Sequence, residues 1–208
     1  MTKPAPTKPS RVKVNVRSEL TAAFAAIDAA NAADPNVIEW RDERWPRAQL
    51  QGLLATEWVE VLDPRASDEV LLAARAHHVH RWAIARATYP DGRVGYLRWR
   101  RALKEVHAEV VAELLPAAGI SIETVARVQA LVRKEGLGHD PETQLVEDAI
   151  CLTFLETQFE ELAARLDHDR LVTAVKKTVE KMSDQAVALV AQTRISPDAR
   201  AALDDALR

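Results

Sequence analysis

Apolar residues recur at three- and four-residue intervals through almost the whole chain, and no period-two alternation runs long enough to specify a strand. This pattern predicts a helix over 19–33, stopped by Asp34-Pro35, and a second over about 46–62, ending at Asp63-Pro64. Ser67 followed by Asp68 and Glu69 reads as an N-cap with an acidic first turn, opening a third helix that carries the histidines of AHHVHRW, 76–82. Beyond the turn TYPDGRVG, a fourth helix is predicted over 96–115, closed by Pro116 and Gly119. Ser121 with Thr124 opens a fifth, which Gly136 and Gly138 end. Asp140-Pro141-Glu142 supplies a cap, an N1 proline and an acidic turn for a long sixth helix reaching about Arg165. Further helices fall at about 168–182, 184–192 and 197–207. The expected class is all-α, a single-domain helical bundle over 19–208. Residues 1–18 carry lysines and prolines without an apolar run and read as a flexible arm.

Polar residues that interrupt the apolar stripes carry the chemistry. Residues three and four apart share a helix face. On that spacing His78 falls in a row with Leu71, Ala74 and Trp82, and His107 with Leu103, Val110 and Leu114. Asp148 joins Leu145, Leu152 and Leu155, while Glu57 joins Leu50, Leu54 and Val61. A buried charge needs a partner, so four helices that each turn one ionisable group inward predict a shared site. Glu57, His78, His107 and Asp148 would suit a divalent ion such as Fe, Mn, Zn or Ni. Glu147, on the flank beside Asp148, is the candidate base. A lone histidine on an apolar face is usually a satisfied core residue; it is four such intrusions on four helices that point to a shared site.

Charge sharpens the picture locally rather than globally. The chain's net charge is −3, which gives no general affinity for nucleic acid or an anionic membrane. From Arg75 to Lys104, however, there are eight basic residues and one acid, Asp91, a balance of +7. Arginine's planar fork suits phosphate and carboxylate, which nominates Arg81, Arg86 and Arg100, with Tyr89 and Lys177, as contacts for a small anionic or phosphorylated substrate. The interleaved aromatics also leave open an RNA-binding role. Cys151, the single cysteine, excludes an internal disulfide and suits a cytoplasmic setting. No apolar run reaches the roughly 18 residues of a membrane span, and a homodimer face is open.

Several segments are distinctive together: AARAHHVHRW (73–82), YPDGRVGYLRWR (89–100), VHAE (106–109), DPETQLVEDAICLTFLE (140–156) and KKTVEKMS (176–183). They resemble the domain of unknown function 4202 family over nearly the whole chain after about residue 20. Members are sometimes labelled glutamyl-tRNA synthetase, as Lys181-Met182-Ser183 is similar to the KMS signature of class I synthetases. This chain has no glycine-rich strand–turn–helix unit to hold ATP, and that label is rejected. The helix succession is also similar to that of HD-domain metal-dependent phosphohydrolases. That likeness places Glu57 at the family's first histidine, His77-His78 at the His-Asp pair, His107 at a later histidine and Asp148 at the last aspartate. The His-Asp doublet itself is absent, and Lys134 stands near another expected histidine. The resemblance implies a metal-dependent hydrolase of a small phosphorylated or nucleotide-like anion. The alternatives are an HD-like di-iron oxygenase and a non-catalytic RNA- or anion-binding module.

Overall fold

The computed structural model describes residues 20–207; the arm expected over 1–18 lies outside them. Ten α-helices make up most of these residues: α1 (Thr21–Ala32), α2 (Arg47–Leu62), α3 (Asp68–Ala76), α4 (Gly92–Ala117), α5 (Ile122–Arg133), α6 (Pro141–Thr157), α7 (Phe159–Arg165), α8 (His168–Val179), α9 (Asp184–Leu189) and α10 (Pro197–Ala206). The fold is all-α, as the apolar period predicts. No helix of the described residues is long and apolar enough to cross a membrane.

The helix starts follow from side-chain caps. Ser67 accepts from the Val70 amide, Ser121 from Thr124, and Asp140 from Glu142 and Thr143, each satisfying amides that the first turn leaves open. One continuous core runs from Leu20 to Leu203 and centres on α2, α3 and α6, whose Trp58, Leu72 and Leu152 are fully buried. Gly52 lets α2 and α3 approach closely, because a Cβ there would sit 2.5 Å from the Arg75 carbonyl. The end of α3 is tied to α1 by Arg75, which donates to Asp28 at 2.7 and 2.9 Å, and by the Asn31 amide on the Arg75 carbonyl.

Four features depart from the sequence pattern, the first being that α4 begins at Gly92, inside the predicted turn, and runs through Pro116 to Ala117. A β-hairpin, β1 (Val37–Trp40) and β2 (Glu43–Pro46), pairs antiparallel with Ile38 opposite Trp45. Its strands are four residues long, too short for alternation to register. The turn is made by Arg41 and Asp42, both at positive φ (52° and 61°), the twist that two-residue hairpins favour. The hairpin covers a small second cluster of Trp45, Leu50, Leu53 and Leu54.

The third helix stops at Ala76, so the histidines are not on it. His77–His80 form successive turns, with His80 in the left-handed region at φ 52°, before a short 3-10 segment, Arg81–Ala83. The row that placed His78 with Trp82 therefore does not exist as a helix face. The sixth helix, lastly, breaks at Gln158, where φ is −133°, and α7 follows from Phe159. Gln158 is thereby free to face the space described next.

Candidate functional site

The unwound segment 77–88 is held against the start of α4. The Trp99 indole donates to the Ile84 carbonyl at 2.9 Å, and the Arg81 guanidinium lies 4.8 Å over the Trp99 ring. Arg100 lies 5.8 Å over Tyr96. These contacts turn Arg81 and Arg100 toward one cavity of about 500 Å³ between the 77–81 turns, α4, α6 and α8. Its lining has six cationic side chains, Arg81, Arg100, Lys134, Arg170, Lys177 and Lys181, against one carboxylate, Glu147. Ile150, Phe154, Leu162 and Ala174 give it an apolar side, and Gln51, Thr153 and Thr173 add neutral polar groups.

At its deep end a recess of about 30 Å³ is lined by His77, His78 and His107 together with Arg81, Arg100, Lys104 and Lys134. Each ring uses Nδ1 on a fixed acceptor. His77 donates to the Ala74 carbonyl at 2.7 Å, His78 to Gln51 Oε1 at 2.7 Å and His107 to the Val79 carbonyl at 2.6 Å. With Nδ1 carrying the proton, Nε2 is a bare lone pair on all three rings. Burial, reinforced by the surrounding cations, holds all three rings neutral: His77 falls to about 3, His107 to about 4, and His78 well below its ordinary value.

Lys134 reaches the site by an unusual backbone path. It ends α5 in the left-handed region at φ 60°, while the Glu135 amide bonds the Ala130 carbonyl at 3.0 Å. This is a termination usually made by glycine. The turn swings the ammonium across to α6, where it pairs with Glu147. Burial raises the Glu147 pKa, but Lys134 more than offsets it and holds the carboxylate below its ordinary range. Cys151 donates weakly to Glu147 Oε1 at 3.9 Å, and burial together with that charge pushes the thiol up to about 12. A thiol that stays protonated is no nucleophile.

The four residues expected to share a metal are not brought together. His78 and His107 meet at the recess, with ring centroids 6.1 Å apart. Glu57 instead faces Arg194, 3.4 Å away, which also pairs with Glu156 at 3.2 Å and lies under Trp40. Asp148 turns to the far side of α6, accepting from the Ser183 amide at 2.9 Å, the Ser183 hydroxyl at 2.6 Å and Gln144 at 2.9 Å. Among the described residues no three His, Cys, Asp or Glu side chains converge as metal ligands. The donor set of Glu57, His78, His107 and Asp148 does not fit a bound divalent ion.

Of the anion contacts, Arg81, Arg100 and Lys177 line the cavity, as does Glu147. Arg86 is occupied with its own turn, donating to the Tyr89 and Pro90 carbonyls at 2.9 and 3.0 Å, and Tyr89 is not part of the lining. Gln51, His77, Lys104, Lys134 and Lys181 belong to the site without having been singled out by the stripe pattern. For Gln51 a signal existed, since it is a polar residue in the uniformly buried run of α2. Lys134, in a glycine-like backbone position, was marked only by the likeness that set it near an expected histidine.

The +7 segment also divides. Arg75 is buried on Asp28, Arg81, Arg100 and Lys104 face the site, and Arg93, Arg98 and Arg101 are exposed on α4.

No curated protein and no solved structure matches the chain. The model of one family, described as "Domain of unknown function (DUF4202)", matches residues 21–203, which takes in every element from α1 to α10 except the last residues of α10. The chain is a member of the DUF4202 family.

Proposed function

We propose that the cavity binds a small phosphorylated or nucleotide-like anion and that the chain acts on it as a hydrolase. The observation that carries this reading is the set of unmatched cations. Arg81 and Arg100 line both the cavity and the recess, Lys177 and Lys181 line the cavity and Lys104 the recess, and none has an ion-pair partner among the described residues. Desolvation and mutual repulsion depress the pKa values of Arg81 and Lys104, a destabilising arrangement that a bound anion relieves. Two arginine forks set at depth and two lysines at the rim suit a phosphoryl group better than a lone carboxylate. The apolar side at Phe154 and Leu162 accommodates an organic moiety attached to it. A cytoplasmic setting, where phosphorylated metabolites and free thiols coexist, agrees with both features.

Calorimetric titration with inorganic phosphate and with adenosine monophosphate tests the reading. Saturable binding that weakens as salt rises is expected, with the nucleotide tighter than phosphate. Arg100→Ala and Lys177→Ala each weaken it by about tenfold or more, one charge-assisted hydrogen bond's worth. Binding that is indifferent to both substitutions would refute it.

A further inference from the structure

We infer that His78 and His107 hold the water that attacks the substrate, so that activation of the nucleophile falls to neutral histidine rather than to a metal ion. This rests on the reading that the cavity takes a phosphorylated anion.

The geometry is specific. The recess beside the cavity measures about 30 Å³, enough for an ordered water. Its walls present imidazoles whose Nδ1 protons are committed elsewhere, leaving lone-pair acceptors with no partner among the described residues. The remaining lining polar groups, Arg81, Arg100, Lys104 and Lys134, are donors. A water between them donates to imidazole and accepts from a cation, which aims an oxygen lone pair outward. Ring centroids 6.1 Å apart are a span that one bridging water fills. Gln51 and the Val79 carbonyl orient the two rings as a carboxylate orients the base of a hydrolytic triad.

The step balances without another reactant. The water oxygen bonds phosphorus while one O–H bond breaks and its proton passes to Nε2 of His78. The bond from phosphorus to the ester oxygen breaks, and its electron pair leaves on that oxygen, opposite the recess. There the wider cavity offers Lys177 and Lys181 to the developing charge. An aryloxide leaves as the anion; the imidazolium then returns its proton to solvent. The dianion itself raises the basicity of the neighbouring imidazoles when it binds.

The test uses the full chain, dialysed against a chelator, with p-nitrophenyl phosphate as probe substrate and inorganic phosphate as competing ligand. Turnover is expected to survive chelation. His78→Asn and His107→Asn keep a donor at the Nδ1 position and delete the Nε2 lone pair. Each is expected to lower kcat by about a hundredfold or more, with phosphate inhibition unchanged within about threefold. His80→Asn, outside the recess and in a backbone conformation asparagine tolerates, leaves kcat unchanged. Should an asparagine variant fail to fold, Gln51→Leu removes the acceptor that orients His78 together with a bond to Thr157 and lowers kcat, while Thr157→Val, which loses the Thr157 hydroxyl but keeps that acceptor, leaves kcat unchanged. Wild-type kcat in the histidine variants overturns the inference, and so does turnover lost on chelation and restored by a divalent ion. Normal phosphate binding with no turnover overturns it too, while sparing the binding site. Absence of phosphate binding overturns both.

Discussion

Asp148 on α6 accepts both the backbone amide and the hydroxyl of Ser183, at 2.9 and 2.6 Å, so the segment between α8 and α9 is pinned to α6. Gln144 reinforces the join by donating to Asp148 and to the Lys181 carbonyl. Ser183 also caps α9 through the Ala186 amide. One carboxylate therefore sets where α8 ends, and α8 carries Lys177 to the rim of the cavity, with Lys181 just beyond it. Asp148→Ala leaves a half-buried amide and hydroxyl without this acceptor and is expected to cost about 1–3 kcal/mol. It also weakens phosphate binding severalfold by loosening the two lysines. Chemical denaturation and a phosphate titration read the two effects separately. Undiminished affinity in a destabilised variant would show that the lysines keep their places without this anchor.

Glu57 has the opposite character, that of a core ion pair remote from the histidines. Arg194→Met removes the guanidinium that Glu57 and Glu156 share, while the residue 194 amide still bonds Glu156, and is expected to destabilise the fold by about 1–3 kcal/mol. Phosphate affinity should be unchanged. A comparable loss of affinity in that variant would mean that the Arg194 network reaches the site.

Acid is expected to destabilise this protein beginning just below neutrality. His77, His78 and His107 all have folded pKa values depressed below the ordinary 6.5, so the unfolded chain takes up their protons first. Their contribution is complete above about pH 6.5 and falls as pH drops toward 4, by about 1.4 kcal/mol per pH unit for each histidine. Glu147 adds a later loss. Its folded pKa is depressed, so its contribution fades only as pH falls below its unfolded value near 4.5. Unfolding free energies measured between pH 7.5 and 4.5 check the first part. His107→Asn should flatten the slope, and an unchanged slope would count against a buried neutral His107.

Gly52 tests the packing that places the Arg75 end of α3. A methyl group there meets the Arg75 carbonyl, and Gly52→Ala is expected to cost about 1–3 kcal/mol despite alanine's better helix propensity. A stabilised variant, read by thermal unfolding, would show that α2 and α3 have slack at this crossing.

Locally encoded features were the legible ones. The caps at Ser67, Ser121 and Asp140 act over three residues, and their sequence signatures coincide with the helix starts observed. The inward placement of His107, Glu57 and Asp148 was likewise readable from helix period, since all three are buried. Burial, however, does not say which buried group meets which. Asp148 found Ser183 thirty-five positions away and Glu57 found Arg194 at 137, pairings set by tertiary packing alone. Helix period alone would also carry α3 on through His78. No proline or glycine marks the true stop after Ala76, where the His77 side chain and the Val79 amide turn back onto the carbonyls of Ala74 and Ala76. Glu147 and Lys134 are similar: a flank position and a left-handed lysine become one ion pair only when α5 and α6 are in place.

Diffraction from crystals soaked in tungstate, a strongly scattering phosphate mimic, tests the cation cavity most directly. The predicted result is one well-occupied tetrahedral peak within hydrogen-bonding reach of Arg81, Arg100 and Lys134 at the mouth of the histidine recess. A peak confined to the exposed α4 arginines, Arg93, Arg98 and Arg101, with the cavity unoccupied, would contradict it.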